Sequence, residues 1–578
     1  MNLNVSNRNG RTYLYIEKGY RKDGKVMKRR VKTIGYLDTL ELDPSIDDPI
    51  AHFRQVAKDM TEEENSSRKL TVHIDMEESL PENPVGAQNI GYVLPVKIYH
   101  DLGIDRFLKG KSQSEDFKYN TSSIMLLLTI SRLLAPGSIK RAYENRARYF
   151  ERFDFTDDDI YRAYDHFDKI AYELQRYVHE SVRAKYGCDT SIIYYDVTNY
   201  WFEIKKPDDF RKYGLCKQRR KRPIVQMGLA MDRNGIPLHY ELFPGNKLDK
   251  ETFRAVIGEV RKNYDTGRVV VVADMGIITG DNIYYLTGGK PEKPQNGYIF
   301  SFSVRGGTSD FKQYVLDENG YADKNGKPAS DESGFKIKER FVARKINVTM
   351  QSGKTRKHTV YEKQIVFWSK KHSVKSRTER AEVLAKSETL IADPKKFTKA
   401  TSYGAAAYVK NIEYDKDSGE IITGKALCLD VAKIEEEEKY DGYYSIVTSE
   451  ALMSSSDIVD TYRGLWEIEE TFRITKSDLA ARPVYVRDKE HINAHFLVCF
   501  LSLTILRIIQ KRINRQYSAE QIIECLNKIE CFLETENIFL FGYRSPISNL
   551  LGEAFNIDFT RKRLCRSDIK NFSASAKL

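Results

Sequence analysis

The sequence predicts an α/β core that a mostly β insertion interrupts, preceded by an N-terminal hairpin and a helical region. The first observation is a series of apolar β-rich runs around an amphipathic helical stretch, in the order strand, strand, strand, helix, strand, helix or turn, strand. The strands are 191–198, 224–231, 237–243, 268–274 and 298–304, and the helix is 249–260. The second is a change at about residue 306 to short alternating strands, in a background rich in Lys, Gly, Asp, Thr and Ser.

Residues 1–85 are predicted to form a basic β-hairpin arm and a linker. Thr12–Ile16 alternates, Lys22–Lys25 supplies a turn, and Arg29–Ile34 returns as the second strand. Basic residues occur on both arms, so the ribbon either enters a DNA groove or is a solvated docking arm. The acidic and polar residues 40–85 indicate a helix followed by a linker.

Residues 86–188 are predicted to be helical, because their apolar residues recur at spacings of three and four. The acidic run Asp157–Asp159 indicates a helix start, since carboxylates are stabilised at the positive end of the helix dipole.

Two strands of the first part of the core, residues 189–305, end in an aspartate. Asp196 follows the run that begins at Ser191, and Asp274 follows an even more β-branched run that begins at Arg268. Mg²⁺ prefers hard oxygen ligands, and two such ions about 3.5–4 Å apart clamp the attacking and leaving oxygens of a phosphodiester. Acids at these strand ends, with a third on a later helix, therefore indicate a phosphoryl-transfer site.

A basic loop lies between Asp196 and the second strand. Five of its six residues are cationic: Lys217, Arg219, Arg220, Lys221 and Arg222. Such a run binds phosphates without regard to base sequence, although a solvated loop is the alternative.

Residues 306–455 are predicted as the β-rich insertion, because 336–343, 364–368 and 443–447 alternate. Residues 456–515 complete the core. Residues 516–578 are predicted as a helical and basic tail, partly disordered beyond Asp558.

One amphipathic helix is predicted from Tyr462 to Lys476. Tyr462, Glu469 and Lys476 are seven residues apart, and a helix drifts only about 20° per heptad, so the three side chains share a stripe. Leu465 and Phe472 lie beside that stripe and indicate that this face packs. A carboxylate there needs positive partners. Metal ions and a phosphate-bearing substrate would supply them, whereas a surface helix with salt bridges would need neither.

The bulk composition indicates a cytosolic protein of three or four units, since domains average about 150 residues. The 578 residues carry a net charge of +11, which is compatible with a polyanionic partner. The seven cysteines show no C-x-x-C pair, which favours a reducing compartment. No signal peptide is expected, and the apolar run Phe496–Ile509 is expected to be too short to span a membrane.

These motifs resemble the DDE transposases of bacterial insertion sequences over roughly residues 190–510, in particular the group whose last motif reads Y-x2-R-x3-E-x6-K. The motif maps onto Tyr462, Leu465, Glu469 and Lys476, with leucine at the arginine position. The resemblance implies an RNase H-like core in which Asp196, Asp274 and Glu469 are catalytic and hold two Mg²⁺ ions, for which Mn²⁺ can substitute. It also implies that Lys476 and Tyr462 lie beside a DNA phosphate.

The implied function is to bind the terminal inverted repeats of an element, cut its ends and join the 3′-hydroxyl to target DNA. The implied partners are double-stranded DNA and a second copy of the chain in the DNA complex, with residues 86–188 binding DNA or mediating dimerisation. The implied location is the cytoplasm of a bacterium or archaeon, on the nucleoid. Three alternatives stay open: a nuclease on the same core, a DNA-binding relative whose catalysis has lapsed, which Leu465 favours, and a glycosidase with paired acids.

Overall fold

The computed structural model describes the chain except residues 9, 23–24, 44–45, 47, 67–76, 78, 80–81, 83–85, 114–116, 205, 215–221, 290–294, 331–332, 351, 400, 403, 416–419, 423–425, 536 and 578. The chain forms two compact units, Met1–Pro84 and Val85–Leu578, and each is described by itself.

The first unit is a three-stranded antiparallel sheet followed by helices. Its elements are β1 (Asn2–Arg8), β2 (Arg11–Lys22), β3 (Lys25–Tyr36), α1 (Leu37–Leu40) and α2 (Pro49–Ser66). The strand order is β1-β2-β3, and Leu14 and Ile16 of β2 are buried. The predicted hairpin corresponds to β2 and β3. The sequence did not predict β1, because Leu3 and Val5 are its only apolar residues.

The second unit begins with a short strand and a helical region. Its elements are β4 (Gln88–Asn89), α3 (Val93–Asp101), α4 (Ile104–Ser112), α5 (Thr121–Leu134), α6 (Ile139–Glu144) and α7 (Asp157–Tyr186). The predicted helix start at Asp157 is confirmed. The side chain of Thr156 accepts a bond from the Asp159 amide, and the Asp159 carboxylate accepts one from the Thr156 amide, which forms a capping box.

A mixed sheet follows. Its elements are β5 (Ile192–Trp201), β6 (Ile224–Asp232), β7 (Pro237–Pro244), α8 (Asp249–Asn263), β8 (Val270–Ala273), α9 (Gly280–Leu286) and β9 (Gly297–Phe302). The strands lie in the order β7-β6-β5-β8-β9. β5, β6 and β7 pair antiparallel, whereas β8 and β9 run parallel to β5. The carboxyl ends of β5, β8 and β9 therefore meet at one edge of the sheet.

Residues 306–455 extend this sheet. Their elements are α10 (Ser309–Leu316), β10 (Phe335–Thr349), β11 (Thr355–Ser369), α11 (Lys370–Ala392), β12 (Val409–Lys410), β13 (Cys428–Leu429), α12 (Val431–Glu438) and β14 (Tyr443–Thr448). β10, β11 and β14 join at the β9 edge and complete an eight-stranded sheet, β10-β11-β14-β9-β8-β5-β6-β7. The alternating pattern identified these strands but did not indicate the helix α11.

The last elements are mostly helical. They are α13 (Ser455–Arg463), α14 (Trp466–Lys476), α15 (Lys489–Arg512), α16 (Ala519–Lys528), β15 (Glu530–Thr535), β16 (Ile538–Phe541), α17 (Pro546–Phe555), β17 (Arg563–Cys565) and α18 (Arg566–Ser575). A second sheet has the order β17-β16-β15-β4. The expectation of partial disorder beyond Asp558 was wrong, because Leu564 and Ile569 are buried and anchor β17 and α18.

The core lies on both faces of the large sheet. Ile192 and Tyr194 of β5 belong to a cluster that includes residues of α5, α7, α13, α14 and α15, whereas Ile193 and Tyr195 belong to a cluster with residues of α8 and α9. This alternation is the two-residue period of a strand that is covered on both faces.

Helix α15 is longer than the apolar run suggested. At 24 residues it is long and apolar enough to cross a membrane, and the bent pair Thr121–Leu134 with Ile139–Arg148 passes the same test together. The structure buries 94% of the most apolar window of α15, so that its apolar side chains form the core between the sheet and the helical region.

Candidate active site

The two predicted aspartates are in register on adjacent parallel elements: Asp274 directly follows β8, whereas Asp196 lies within β5 and not at its end as the sequence predicted. Tyr194 of β5 is paired with Val272 of β8, and Asp196 and Asp274 each lie two residues further along. Because side chains alternate along a strand, both aspartates are on the sheet face of Tyr194 and Val272. That face carries α13 and α14. The structure thus brings the two predicted acids to the same edge and face of the sheet.

Three donors reach one oxygen of Asp274. The hydroxyl of Ser301 donates to Oδ1 at 2.6 Å, the amide of Met275 at 2.7 Å, and the hydroxyl of Tyr462 at 3.4 Å. Burial, followed by the charge of Asp274, raises the pKa of Tyr462, so this side chain remains a neutral donor. On Asp196, the amide of Val197 donates to Oδ1 at 2.7 Å.

The prediction of one continuous helix from Tyr462 to Lys476 was wrong, because α13 ends at Arg463 and α14 begins at Trp466. The hydroxyl of Tyr194 donates to the Thr461 carbonyl at 3.0 Å, and the Leu465 amide bonds the Tyr462 carbonyl instead. A Cβ on Gly464 would lie 2.0 Å from the Tyr194 hydroxyl oxygen, so only glycine permits this approach.

Lys476 lies over β5 at the end of α14. Its ammonium group donates to the hydroxyl of Thr198, and it lies 5.5 Å from the ring centroid of Tyr200 and 5.9 Å from that of Phe472. Thr198 is two residues after Asp196 and shares its face, so the ammonium lies at the aspartate edge of the sheet.

The three glutamates of α14 have different surroundings. Glu467 is buried and forms an ion pair with Arg515. Glu470 accepts a 2.9 Å hydrogen bond from Arg507, whose side chain is almost entirely buried. Glu469 is exposed. Because Glu469 precedes Lys476 by seven residues, it lies on nearly the same side of α14 as that lysine.

The position that the motif assigns to arginine is buried Leu465. The two nearby arginines pair locally: Arg463 lies 2.9 Å from Asp460, and Arg473 lies 3.5 Å from Asp478.

A metal ion requires several donor side chains close to one point. Across the described part of the chain, no three His, Cys, Asp or Glu side chains lie close enough together to hold a metal ion. The structure therefore aligns Asp196 and Asp274 but does not bring Glu469 into a three-acid cluster with them. The two aspartates and an exposed glutamate are nevertheless the hard oxygen donors that Mg²⁺ takes.

A cleft of about 390 Å³ adjoins the aspartate edge. It is lined by Val197, Thr198, Asn199, Gln226, Gly245, Asn246, Lys247, Leu248, Asp249, Lys250 and Gly276. Thr198 and Gly276 each follow one of the aspartates by two residues, and the two lysines give the cleft a cationic side.

Most of the predicted basic loop lies outside the described residues, namely Lys217, Arg219, Arg220 and Lys221. Arg222 is described, and it forms an ion pair with Glu203 at 3.2 Å.

Sequence reasoning did not identify Ser301 or Thr198. A signal was present for Thr198, which is two residues from Asp196 on one strand. Ser301 follows Phe300, the residue of β9 that pairs in the structure with Ala273, just before Asp274. Recognising Ser301 required the order of β8 and β9 in the sheet, which the sequence alone did not establish.

Two family models match the chain. The model described as "IS1634 family transposase, N-terminal domain" matches residues 3–69, and the model described as "Transposase DDE domain" matches residues 188–505. The second covers more than half of the chain and includes both aspartates, α14 and the intervening insertion. The chain belongs to the DDE transposases. No curated protein matches it.

The family establishes the general function. This DDE transposase acts in DNA transposition as the DNA-cleaving and DNA-transferring enzyme of an insertion sequence, and DNA is its substrate. The DDE domain implies an RNase H-like core, and such domains use divalent metal ions. The resemblance to the DDE transposases of insertion sequences that the sequence motifs indicated is confirmed.

Proposed function

We propose that this transposase binds the terminal inverted repeats of its element, cuts the DNA ends and joins the liberated 3′-hydroxyl to target DNA by two-metal phosphoryl transfer. The observation that carries the proposal is the register of Asp196 and Asp274. They stand two residues beyond a paired position on adjacent parallel strands, on the face that α14 covers.

Glu469 is proposed as the third acid, and the surroundings of its neighbours support this choice. Glu467 is engaged by Arg515, and Glu470 by Arg507, so these two carboxylates stabilise the packing of α14. Glu469 is exposed on the side of Lys476, which reaches β5. Of the three, it is the glutamate available to a metal ion or substrate.

Asp196, Asp274 and Glu469 would hold two Mg²⁺ ions, for which Mn²⁺ can substitute. Such ions, when bound, activate an attacking oxygen and stabilise a leaving one. The donors on Oδ1 of Asp274 fix that carboxylate from the side of β9 and α13.

Lys476 and Tyr462 are proposed to contact the DNA phosphate beside the cut. The Lys476 ammonium is a mobile point charge that Thr198 and the aromatic rings place at the aspartate edge. Tyr462, kept neutral by its raised pKa, has a single hydroxyl proton, which it would donate to the phosphate in place of Oδ1 of Asp274 once DNA is bound. Neither group takes a proton from the attacking oxygen in this scheme: they orient and stabilise the phosphate.

The basic loop, Lys217, Arg219, Arg220, Lys221 and Arg222, is proposed to bind the DNA backbone. Five cations in six residues support this, since phosphate contacts of this kind need no base recognition. The proposed domains are residues 1–85, 86–188, 189–305, 306–455, 456–515 and 516–578, with β5–β9 and α8 in the RNase H-like core and residues 86–188 binding DNA or mediating a homodimer in the DNA complex. The enzyme is proposed to act on the nucleoid, in the cytoplasm of a bacterium or archaeon.

The decisive experiment measures strand cleavage of DNA that carries the element's own ends, with Mg²⁺ or Mn²⁺. It compares the wild type with Asp196→Ala, Asp274→Ala and Glu469→Ala, and end binding is measured in parallel. We expect each substitution to abolish cleavage while binding of the ends survives.

Two outcomes would contradict the proposal. A wild type that binds the ends but cuts with neither metal is a DNA-binding relative whose catalysis has lapsed. Cleavage of the ends without joined products from pre-cut ends would indicate a nuclease on the same core.

A further inference from the structure

A second cleft lies on the opposite face of the sheet, between α8, α9 and the tip of the β10–β11 hairpin. Its volume is about 650 Å³, within the range of ligand-binding clefts. Residues of both helices and of the hairpin line it, among them Arg254, Arg261, Asp281, Tyr285, Lys354 and Arg356. We refer to it as the hairpin-tip cleft.

Cations dominate this cleft. Arg254 and Arg261 are seven residues apart on α8 and therefore lie along one side of the helix. Lys354 and Arg356 are exposed at the hairpin tip, and neither forms an ion pair with an acid in the described part of the chain. The single acid in the lining, Asp281, accepts a hydrogen bond from the Thr349 amide at 2.6 Å and lies 3.6 Å from Arg254.

Aromatic rings complete the walls. The guanidinium of Arg261 lies 5.4 Å from the ring centroid of Tyr285. Gly258, between the two arginines on α8, permits this packing, because a Cβ there would lie 2.8 Å from the Tyr285 hydroxyl oxygen. Tyr284 and Tyr285 are half-buried, and cations held beside accessible aromatic rings are typical of surfaces that bind nucleic acid.

The hairpin-tip cleft is connected to the candidate active site along α8. Lys250 lines the cleft beside the aspartates, and Arg254, one turn later, lines the hairpin-tip cleft. The side chain of Asn282 joins the two regions, since it donates to the Lys250 carbonyl at 3.0 Å and accepts from Arg254 at 3.2 Å. A row of positive charge thus runs from the aspartate edge to the hairpin tip.

We propose that the hairpin-tip cleft binds the sugar–phosphate backbone of duplex DNA away from the bond that is cut. This rests on the proposed function, because it takes DNA as the substrate. Two sources offer the same chemistry: the DNA that flanks the element in the donor, and the target DNA. The cleft is distinct from the aspartate edge, so its contribution is to hold DNA.

The test uses the full chain with Lys354→Glu combined with Arg356→Glu. The matched control is Lys345→Glu combined with Lys357→Glu, which changes the charge equally on the same hairpin. Arg356 is paired with Val348, a cleft residue, whereas Lys357 is paired with Asn347 and, by strand alternation, projects from the other face. Lys345 shares the face of Asn347 and is exposed.

Affinity is measured across a salt series for three duplexes: one that ends at the element end, the same end with a long flank, and a random duplex. We expect the cleft variant to bind roughly tenfold more weakly and its log–log salt slope to fall by about 2, because two phosphate contacts are lost. The control pair should change affinity by less than about twofold. If the cleft variant loses affinity for the flanked duplex alone, the cleft binds the donor DNA that flanks the element. If it also loses affinity for the random duplex, the cleft binds target DNA.

The proposal would be overturned if the cleft variant and the control variant lost DNA affinity equally, or if the cleft variant bound every duplex as tightly as the wild type. Unfolding midpoints of both variants are measured, and the second pair Arg254→Gln with Arg261→Gln repeats the test if the first is unstable. Because the readout is binding, a wild type that never cleaves would reject the proposed function and leave this test intact.

Discussion

Ser301 on β9 donates a 2.6 Å hydrogen bond to Oδ1 of Asp274, which directly follows the adjacent parallel strand β8. The donors that the described residues supply to this carboxylate, from Ser301, Met275 and Tyr462, all reach Oδ1. The carboxylate is therefore oriented through one oxygen, and a ligand can approach the other. Orientation of a ligand by a neighbouring donor is the means by which proteins tune metal sites.

Substituting Ser301→Ala should lower the rate of DNA-end cleavage by roughly 10–100-fold, because a hydrogen bond to a charged group contributes about 1.5–3 kcal/mol. End binding should be nearly unchanged, since the hydroxyl acts on Asp274 and not on DNA. Ser301→Thr keeps the donor and should recover much of the rate. Single-turnover cleavage and equilibrium binding to the ends measure these effects.

Ser445→Ala is the control for Ser301. Ser445 is also a buried strand hydroxyl, but it donates to the backbone carbonyl of Phe302. Its loss should leave the cleavage rate within about twofold of the wild type, as expected for a site without contact to an acid. A similar loss in both variants would mean that Ser301 acts only through the stability of the sheet.

The glutamates of α14 should separate into one catalytic and two structural residues. Glu469→Gln should abolish cleavage without lowering stability, because its side chain is exposed. Glu467→Gln and Glu470→Gln should lower the free energy of unfolding by about 2 kcal/mol each, because each weakens a charge-assisted bond with Arg515 or Arg507. These two variants should retain cleavage at temperatures where they remain folded.

Urea unfolding and cleavage rates on the same three preparations measure both quantities. The assignment of the third acid would be wrong if Glu469→Gln still cut DNA and one of the other two folded variants did not.

The sequence predicted the strands of the core because each depends on a local pattern, but only Asp274 follows the end of its strand, whereas Asp196 lies within β5, which continues to Trp201. β-Branched runs that end in aspartate identify β5 and β8, and the spacing of Phe253, Val256 and Val260 identifies α8. Parallel strands align their carboxyl ends, so the nearness of Asp196 and Asp274 followed from the strand order.

What the sequence did not predict depends on contacts between distant residues. The helix breaks at Gly464 because the Tyr194 hydroxyl, on another element, bonds the Thr461 carbonyl. Helical periodicity continues across this break, and so the pattern indicated one helix. The roles of Ser301 and of the hairpin-tip cleft likewise arise only when β9 and β10 take their places in the sheet.

Stability should fall in mild acid because of buried His239. Burial lowers its pKa to about 3, so it stays neutral in the folded state, whereas in the unfolded chain it takes up a proton near pH 6.5. The contribution of neutral His239 to the free energy of unfolding is fully present above pH 6.5 and decreases as the pH falls towards 3. The expected slope is at most about 1.4 kcal/mol per pH unit, or roughly 2 kcal/mol between pH 6.5 and 5.

His239→Gln should therefore lose less stability than the wild type between pH 7 and pH 5, which urea unfolding at both values measures. Burial also lowers the pKa of His179, to about 4, so this residue adds a similar pH dependence of stability. The His239→Gln variant retains that part. Exposed His52→Gln is the control and should leave the pH dependence unchanged. Identical slopes in His239→Gln and the wild type would show that His239 is not the group responsible.

Lys476 should act on the DNA phosphate and depend on Thr198 for its position. Lys476→Met should lower the cleavage rate by roughly 10²–10³, the cost of removing a group that stabilises transition-state charge, with a small effect on end binding. Thr198→Val should lower the rate by only about 3–10-fold, since the ammonium keeps its contacts with the rings of Tyr200 and Phe472.

In the double variant, Thr198→Val should add nothing to the loss of cleavage rate from Lys476→Met, because the hydroxyl works through the lysine. Lys489→Met removes another lysine that lies over an aromatic ring, that of Phe210 at 5.5 Å, and should cut at the wild-type rate. Additive losses in the double variant would mean that Thr198 contacts the substrate on its own account.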